Sequence, residues 1–184
     1  MIISAYIRQV VAKMNVSYDH SSTQVDFPGR IASDIMTWGQ KNIPEGDLHN
    51  DGKDTKGRED NIHVTLLYGL KTTNPEDVRR VLSGMKPFRI RLGLISAFMD
   101  KPAYDVIKID IEAPELYQMH YRLRGALAND NKFPSYAPHA TICYVKKGKA
   151  LPYLGNDTFR DVNFYADGVL FSSSTGERIP ITFK

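Results

Sequence analysis

The sequence predicts one α+β domain made of two α/β lobes of the same design, related by a pseudo-twofold axis. The main observation is an internal repeat, because HVTLLY at residues 63–68 is echoed 76 residues later by HATICY at residues 139–144. A strand and a helix are predicted ahead of each copy. The chain has 184 residues, of which 42% are hydrophobic and 24% charged, enough to bury a core without a disulfide or metal. The predicted domain spans residues 1–184, with the lobes interleaved.

In the first lobe, the alternation of IISAYIR predicts a half-buried strand over residues 2–8. A polar stretch follows, and Asp26 is predicted to cap a helix over residues 28–42. Residues 43–61 are rich in Gly, Asp and Lys, which predicts a long, mobile loop. IHVTLLYGL is the next strand, and Asn74 then caps a helix that starts at proline.

Further along the chain, residues 88–99 and 104–112 read as two strands joined by a turn at DKPA. Residues 113–129 predict an amphipathic helix, and residues 135–148 a strand entered through a proline. Residues 163–183 predict a closing hairpin whose turn is STGE.

The charge balance of 24 basic and 21 acidic residues gives a formal net charge of +3, which is compatible with a phosphate-bearing ligand. The sole cysteine, Cys143, makes an intramolecular disulfide impossible and favours a reducing setting. No apolar run approaches the roughly 20 residues of a membrane span, and no secretion signal is recognisable. We therefore expect a cytoplasmic protein with no membrane partner.

The two H-x-T motifs contain the predicted catalytic residues. Residues i and i+2 of a strand share a face, so His63 lies beside Thr65, and His139 beside Thr141. One such triplet is a weak signal, whereas two at equivalent places of a repeat are specific. The tyrosines at i+5, in contrast, are predicted to point to the opposite face and to serve in packing.

These motifs, HVTL at His63 and HATI at His139, resemble the signature of the 2H phosphoesterase family, H-Φ-[S/T]-Φ once per lobe. That family includes RNA 2′,5′-ligase-type proteins and cyclic phosphodiesterases, and the resemblance covers most of the chain. It implies antiparallel sheets lining a central cleft. It also implies metal-independent chemistry on 2′,3′-cyclic phosphates or 2′,5′ linkages, and some phage members destroy cyclic-oligonucleotide immune signals.

The residue types independently suit such a reaction. Cleavage of a phosphodiester needs a base for the attacking oxygen and an acid for the leaving oxygen, and two imidazoles fill both roles near neutral pH. His63 and His139 are the predicted catalytic pair, with Thr65 and Thr141 donating to the non-bridging phosphate oxygens. No metal-ligand pattern accompanies either histidine, so no metal or cofactor is expected. Which histidine is the acid is left open.

Two tyrosines are candidates for substrate binding. Tyr6 is either a base-stacking residue of the first strand or a surface tyrosine, and Tyr136 either walls the cleft or packs beside it. Trp38 and Cys143 are expected to be core residues. Four basic residues flank the motif strands and either attract phosphate or form a solvated face: Arg58, Lys146, Lys147 and Lys149.

The sequence thus predicts a metal-independent phosphodiesterase acting on a nucleotide, a cyclic oligonucleotide or an RNA end, with a 2′,3′-cyclic phosphate or a 2′,5′ or 3′,5′ linkage. One alternative is a hydrolase of cyclic-oligonucleotide immune signals, which the loop at residues 43–61 would cap. Another is a module that binds RNA without cutting it, although retention of both histidines favours an enzyme. Ligation is the same reaction in reverse. The sequence leaves the oligomeric state open.

Overall fold

The computed structural model describes residues 20–52, 55 and 57–184. The strand predicted over residues 2–8, and with it Tyr6, lies outside the described residues. The helices are α1 (Gly29–Asn42), α2 (Pro75–Val81) and α3 (Pro114–Ala126). The strands are β1 (Ser21–Asp26), β2 (His63–Leu70), β3 (Phe88–Phe98), β4 (Tyr104–Glu112), β5 (His139–Lys146), β6 (Asn163–Ala166), β7 (Gly168–Ser172) and β8 (Arg178–Thr182).

The described strands form one antiparallel sheet in the order β6-β3-β4-β5-β2-β1-β7-β8. One half contains β6, β3, β4 and β5, and the other contains β2, β1, β7 and β8. The halves meet where β5 lies beside β2, so the two motif strands are neighbours at the centre of the sheet. The repeats exchange strands. Strand β3 follows β2 in the chain but pairs with β4, and β7 comes after β5 and β6 but pairs with β1. The predicted α+β class with antiparallel strands is confirmed, and the two halves are joined into a single sheet.

The sheet is strongly curled. Strands β6 and β7 are separated in the chain only by Asp167, yet they belong to opposite halves of the sheet. The two ends of the sheet must therefore approach each other, and the rings of Phe27 and Phe164 meet there with centroids 4.9 Å apart. The predicted closing hairpin is confirmed for β7 and β8, whereas β6 leaves it to pair with β3.

The helices cover one face of the sheet, where the core lies. Helix α1 packs on β5 and α3 on β2, and Ile35 of α1 and Leu116 of α3 are fully buried. The predicted cap of α2 is confirmed, since Oδ1 of Asn74 accepts from the backbone N–H of Glu76 at 3.1 Å. No helix among the described residues has the length and hydropathy needed to cross a bilayer.

The start of the first lobe differs from the sequence prediction. Strand β1 occupies the end of the polar stretch that follows residue 8 in the prediction, and Asp26 is its last residue rather than a helix cap. Helix α1 instead begins after Pro28, with no side-chain cap. The sequence does not indicate this strand, because the buried face of the strand is small and mostly polar: Ser21 and Thr23 are nearly inaccessible beside Val25.

The predicted mobile loop is held against β5 at two places, residues 48–49 and residues 57–59. The backbone N–H of His49 donates to the carbonyl of Tyr144 at 2.9 Å, and that of Glu59 donates to the carbonyl of Ile142 at 3.0 Å. The side chain of Arg58 holds the loop to the end of α1, donating to the carbonyls of Gly39 and Ile43. Unpaired backbone groups along an edge of β5 are satisfied in this way.

Candidate active site

The two motif strands meet at one residue pair. Val64 of β2 pairs with Ala140 of β5 in an antiparallel register, and both side chains are fully buried. Neighbours of an antiparallel pair run in opposite directions, so this register sets His63 opposite Thr141 and Thr65 opposite His139. The four side chains occupy the corners of a square on the other, accessible face of the sheet, called the site face below. The histidines lie on one diagonal and the threonines on the other.

Each histidine ring is fixed in the same way. Nδ1 of His63 donates to the carbonyl of Asn61 at 2.8 Å, and Nδ1 of His139 donates to the carbonyl of Ala137 at 2.7 Å. A carbonyl can only accept, so Nδ1 must carry the proton in both rings. Nε2 is therefore the atom that gains or loses a proton, and it lies on the far side of each ring from its own backbone. The structure makes the two histidines chemically equivalent in this respect.

The neighbouring strands place a carboxylate beside each histidine. Asp26 of β1 pairs in register with His63, and Asp110 of β4 pairs with His139. Each carboxylate has a cation of its own, because Nη2 of Arg178 lies 2.8 Å from Asp26 and Nζ of Lys108 binds Asp110. The charge of each carboxylate is thereby compensated within its own half of the sheet.

The halves differ at the position beside each threonine. Gln24 pairs in register with Thr65, whereas Lys108 pairs with Thr141. The Lys108 residue is only 6% exposed; its Nζ donates to Oγ of Ser96 at 2.6 Å and lies 4.6 Å from the centre of the Phe98 ring. A cation thus lies beside the square in one half, and an amide takes that place in the other.

The surroundings of His139 disfavour its charged form. Burial lowers the pKa of His139, and the nearby positive charges of Lys108 and His63 lower it further. The carbonyl of Ala137 and the carboxylate of Asp110 oppose this shift in the pKa. The edge of the Phe98 ring also packs on the imidazole, with centroids 4.7 Å apart. His139 is consequently neutral over a wider pH range than a free histidine.

Tyr68 and Tyr144 lie on the site face, contrary to the sequence prediction. Both motif strands contain an extra residue, Leu66 in β2 and Ile142 in β5, where the register with the outer neighbour shifts by one. A bulge of this kind advances the alternation by one position, so residue i+5 returns to the face of residue i. Tyr68 is 57% exposed as a result. The same bulge turns Cys143 inward, where it is fully buried as predicted.

Tyr136 lies against α3. Its ring stacks on His120 at a centroid distance of 4.1 Å and an interplanar angle of 3°, and its hydroxyl donates to the carbonyl of Thr65 at 3.0 Å. Nδ1 of His120 donates to the next carbonyl, that of Leu66, at 2.6 Å. The stacked pair therefore holds two consecutive carbonyls at the bulge of β2. Sequence reasoning missed His120, since a lone histidine on a helix carries no motif.

The flanking basic residues are engaged with the protein itself. Arg58 binds the end of α1 and Glu45, and Lys149 pairs with Asp47 at 3.0 Å. Lys146 donates to a carbonyl of the loop, and Lys147 pairs with a buried carboxylate. All four serve to attach the loop and the turn after β5. Trp38 packs against the core, with Phe159 and Tyr153 at its ring edges.

Several polar residues of the site face were not anticipated from the sequence: Gln24, Asp26, Ser96, Lys108, Asp110 and Arg178. One signal was present, because Lys108 and Asp110 alternate with isoleucines at positions i and i+2 of β4, and Gln24 and Asp26 repeat this spacing. Across the described ranges, no three His, Cys, Asp or Glu side chains are grouped so as to hold a metal ion.

The sequence profile described as the 2′-5′ RNA ligase superfamily matches residues 48–175. Comparison with curated proteins finds no sequence match. Among solved structures, TT0787 of Thermus thermophilus has a TM-score of 0.63 at 17% identity, over 88% of this chain and 97% of that one. E. coli LigT complexed with 3′-AMP has a TM-score of 0.61 at 16% identity, over 90% and 95%. Kluyveromyces marxianus Usb1 has 0.57 at 12%, over 91% and 99%.

Proposed function

The chain belongs to the 2′-5′ RNA ligase superfamily, whose members are 2H phosphoesterases, and from that premise we propose that it is a metal-independent phosphodiesterase. The proposed substrates are nucleotide or RNA phosphodiesters that contain a 2′,3′-cyclic phosphate or a 2′,5′ or 3′,5′ linkage. Superfamily membership supports phosphoryl-transfer chemistry on RNA or nucleotides. The structures of LigT with 3′-AMP, NADP+ and ATP add support for a nucleotide ligand.

The diagonal arrangement of the two histidines is the observation that carries the proposal. In-line displacement at phosphorus needs the attacking and leaving oxygens on opposite sides, with the non-bridging oxygens between them. A phosphate centred over the square would have a histidine Nε2 at each end of that line. Each proton transfer of this kind contributes on the order of 100- to 10,000-fold in rate.

The threonines occupy the remaining corners. Thr65 and Thr141 flank the same central position, where their hydroxyls would donate to the non-bridging oxygens as charge develops there in the transition state. In our proposal the Lys108 ammonium adds a positive field on the Thr141 side. Hydrogen-bond donors and a fixed cation would then stabilise the negative charge of the phosphate.

We assign the general base of hydrolysis to His139 and the general acid to His63. A base must be neutral before it takes its proton, and burial lowers the pKa of His139, with a further contribution from Lys108. In the ligation direction the two roles exchange. A 2′-deoxynucleoside 3′-(p-nitrophenyl phosphate) tests the assignment, because water is the nucleophile in the absence of a 2′-hydroxyl and nitrophenolate leaves without a proton. His63→Ala should lose far less activity on this substrate than His139→Ala, and equal losses would overturn the assignment.

The function itself is tested by hydrolysis in EDTA. The substrates are nucleoside 2′,3′-cyclic monophosphates, 2′,5′- and 3′,5′-linked dinucleotides, and cyclic dinucleotides, each with the wild type, His63→Ala and His139→Ala. His49→Ala is the matched control, since this histidine stacks on Tyr104 and lies outside the square. We expect metal-free turnover that either site variant lowers by at least about 100-fold and the control preserves. A folded protein with no turnover of any substrate would contradict the proposal and favour RNA binding without cleavage.

A further inference from the structure

The site face continues from the square over the outer strands of the His139 half. In β4, Glu112 lies two residues beyond Asp110 and therefore on the same face. Glu112 pairs in register with Arg91 of β3, and Arg89 lies two residues further along that face. Strand spacing and rise place Arg89 roughly 15–20 Å from His139. The square and the outer strands thus share one continuous accessible surface.

The outermost strand of this half adds an aromatic ring to the surface. Tyr165 of β6 pairs in register with Arg89, so the two side chains are neighbours on the same face. Tyr165 is 69% exposed, the most exposed aromatic residue in the described part of the chain. An open ring beside a guanidinium offers a nucleic acid both a stacking surface and a phosphate contact.

The cations of the site face differ in how their charge is compensated. Lys108 and Arg178 each bind a carboxylate, and Arg91 binds two. Across the described ranges Arg89 makes no ion pair: its Nε donates to Oδ1 of Asn163 at 3.1 Å, and neither Nη group has a protein partner. Asn163 is itself fixed, since its Nδ2 donates to a backbone carbonyl of the preceding turn at 2.9 Å. An oriented guanidinium with both Nη groups open suits the paired oxygens of a phosphate.

A strand of RNA crossing this surface would meet paired charges before it reaches Arg89. The carboxylate of Asp110 is bound by Lys108, and that of Glu112 by Arg91. Their repulsion of a ligand phosphate is weakened by these cations. Within the described residues of this face, Arg89 is the arginine at which a phosphate has no protein carboxylate to displace.

We propose that Arg89 and Tyr165 form a second binding site, which holds an RNA strand several nucleotides away from the phosphate that reacts over the square. The inference rests on the proposed function and deepens it, because a mononucleotide cannot span the distance and the substrate would be an oligonucleotide. The guanidinium would bind a backbone phosphate, and the ring would stack on a base. Every base has a π-face, so the site would add affinity with little sequence preference.

The dependence of the kinetics on chain length tests the proposal. Two RNA hexanucleotides, extended on the 5′ or the 3′ side of a single cleavable linkage and 2′-O-methylated elsewhere, are compared with the dinucleotide of that linkage. The wild type should cleave at least one hexanucleotide with a kcat/KM about 5- to 100-fold higher than the dinucleotide, mainly through KM, as stacking of one base predicts. Tyr165→Ala should remove this advantage and leave the dinucleotide kinetics unchanged, whereas Tyr165→Phe should keep it. Equal kcat/KM for all three substrates in the wild type would overturn the proposal.

Arg89→Gln should have a signature of its own. Loss of one phosphate contact lowers the slope of log KM against log salt concentration by about 0.7 for the hexanucleotide, whereas Tyr165→Ala should keep the slope of the wild type. Arg80→Gln is the matched control, because Arg80 is an exposed arginine of α2, on the helical side of the sheet, with an ion pair to Asp77. A salt slope that Arg89→Gln and Arg80→Gln change equally would contradict the phosphate contact.

Fluorescence anisotropy distinguishes failure of this inference from failure of the proposed function. The probe is a labelled RNA hexamer that is 2′-O-methylated throughout and ends in a 3′-phosphate, so its binding is measured even if the protein turns over no substrate. Tyr165→Ala and Arg89→Gln should each weaken binding of the hexamer, and Arg80→Gln should not. Hexamer binding that both site variants leave unchanged would refute the second site whether or not the protein is an enzyme.

Discussion

The hydroxyl of Tyr136 holds the carbonyl of Thr65, and removing it should impair catalysis as well as stability. Tyr136→Phe deletes one hydrogen bond of 3.0 Å and keeps the ring that stacks on His120. A net hydrogen bond contributes about 0.5–1.5 kcal/mol, and a carbonyl left without its donor adds to the loss. We expect the free energy of unfolding to fall by about 1–2 kcal/mol, measured by urea denaturation.

An effect on catalysis is expected because this carbonyl belongs to Thr65. Thr65 donates to the phosphate in the proposed mechanism, and a shift of the order of 1 Å in a positioning group lowers rates by up to about 100-fold. Tyr136→Phe should lower kcat about tenfold, with a smaller change in KM, because the lost interaction matters most in the transition state. Steady-state assays at saturating nucleoside 2′,3′-cyclic monophosphate measure this.

The control for this prediction is Tyr121→Phe. Tyr121 also packs edge-on against His120, at 5.1 Å, but it is 52% exposed on the outer side of α3. Its hydroxyl should be dispensable for both stability and rate. If Tyr136→Phe loses stability but keeps kcat within twofold of the wild type, the reasoning is refuted and the hydroxyl is a structural group only.

Four further predictions concern single groups. Lys108→Met leaves a half-exposed carboxylate without its cation, so urea denaturation should show a loss of about 1.5–3 kcal/mol, and no loss would disprove the pairing. Burial lowers the pKa of both His120 and His139, so the unfolded state binds more protons below about pH 6.5 and stability should fall on acidification, contrary to a flat profile of urea midpoints. Burial raises the pKa of the Cys143 thiol to about 12, so Ellman's reagent should react only in denaturant, and rapid labelling of the native protein would contradict the structure. Gly168→Ala forces a methyl group against a carbonyl of β8, so the free energy of unfolding should fall by about 1–3 kcal/mol and the thermal midpoint should fall with it. An unchanged midpoint would show that the backbone shifts to make room for the methyl group.

The motif strands, most other elements and the repeat were predictable because their signals are local. An apolar strand containing H-x-T reads as a half-buried strand, and the second copy at His139 identifies the repeat without any knowledge of contacts. The cap at Asn74 likewise depends on residues within one turn. Predictions from such signals agree with the folded structure because each signal can be interpreted from neighbouring residues alone.

The missed elements depend on distant parts of the chain. Ser21 and Thr23 are buried by the strands on either side of β1, and their polarity gives no hint of this. Asp26 is next to a proline-led helix, which favours a cap by local rules, whereas Arg178 binds it from the far end of the chain. In both cases contacts between distant strands, which exist only in the folded sheet, override the local propensity.

The two bulges show why a symmetric sequence does not imply symmetric support. Each bulge frees a carbonyl from the ladder, at Leu66 in one half and at Ile142 in the other. His120 satisfies the first, with Tyr136 stacked on it and bound to the preceding carbonyl, whereas the backbone of the 43–61 loop satisfies the second through Glu59. One half therefore depends on two side chains and the other on an inserted segment. The inserted segment also contacts the residue equivalent to Tyr68, since the carbonyl of Gly57 accepts from the backbone N–H of Tyr144 at 2.7 Å.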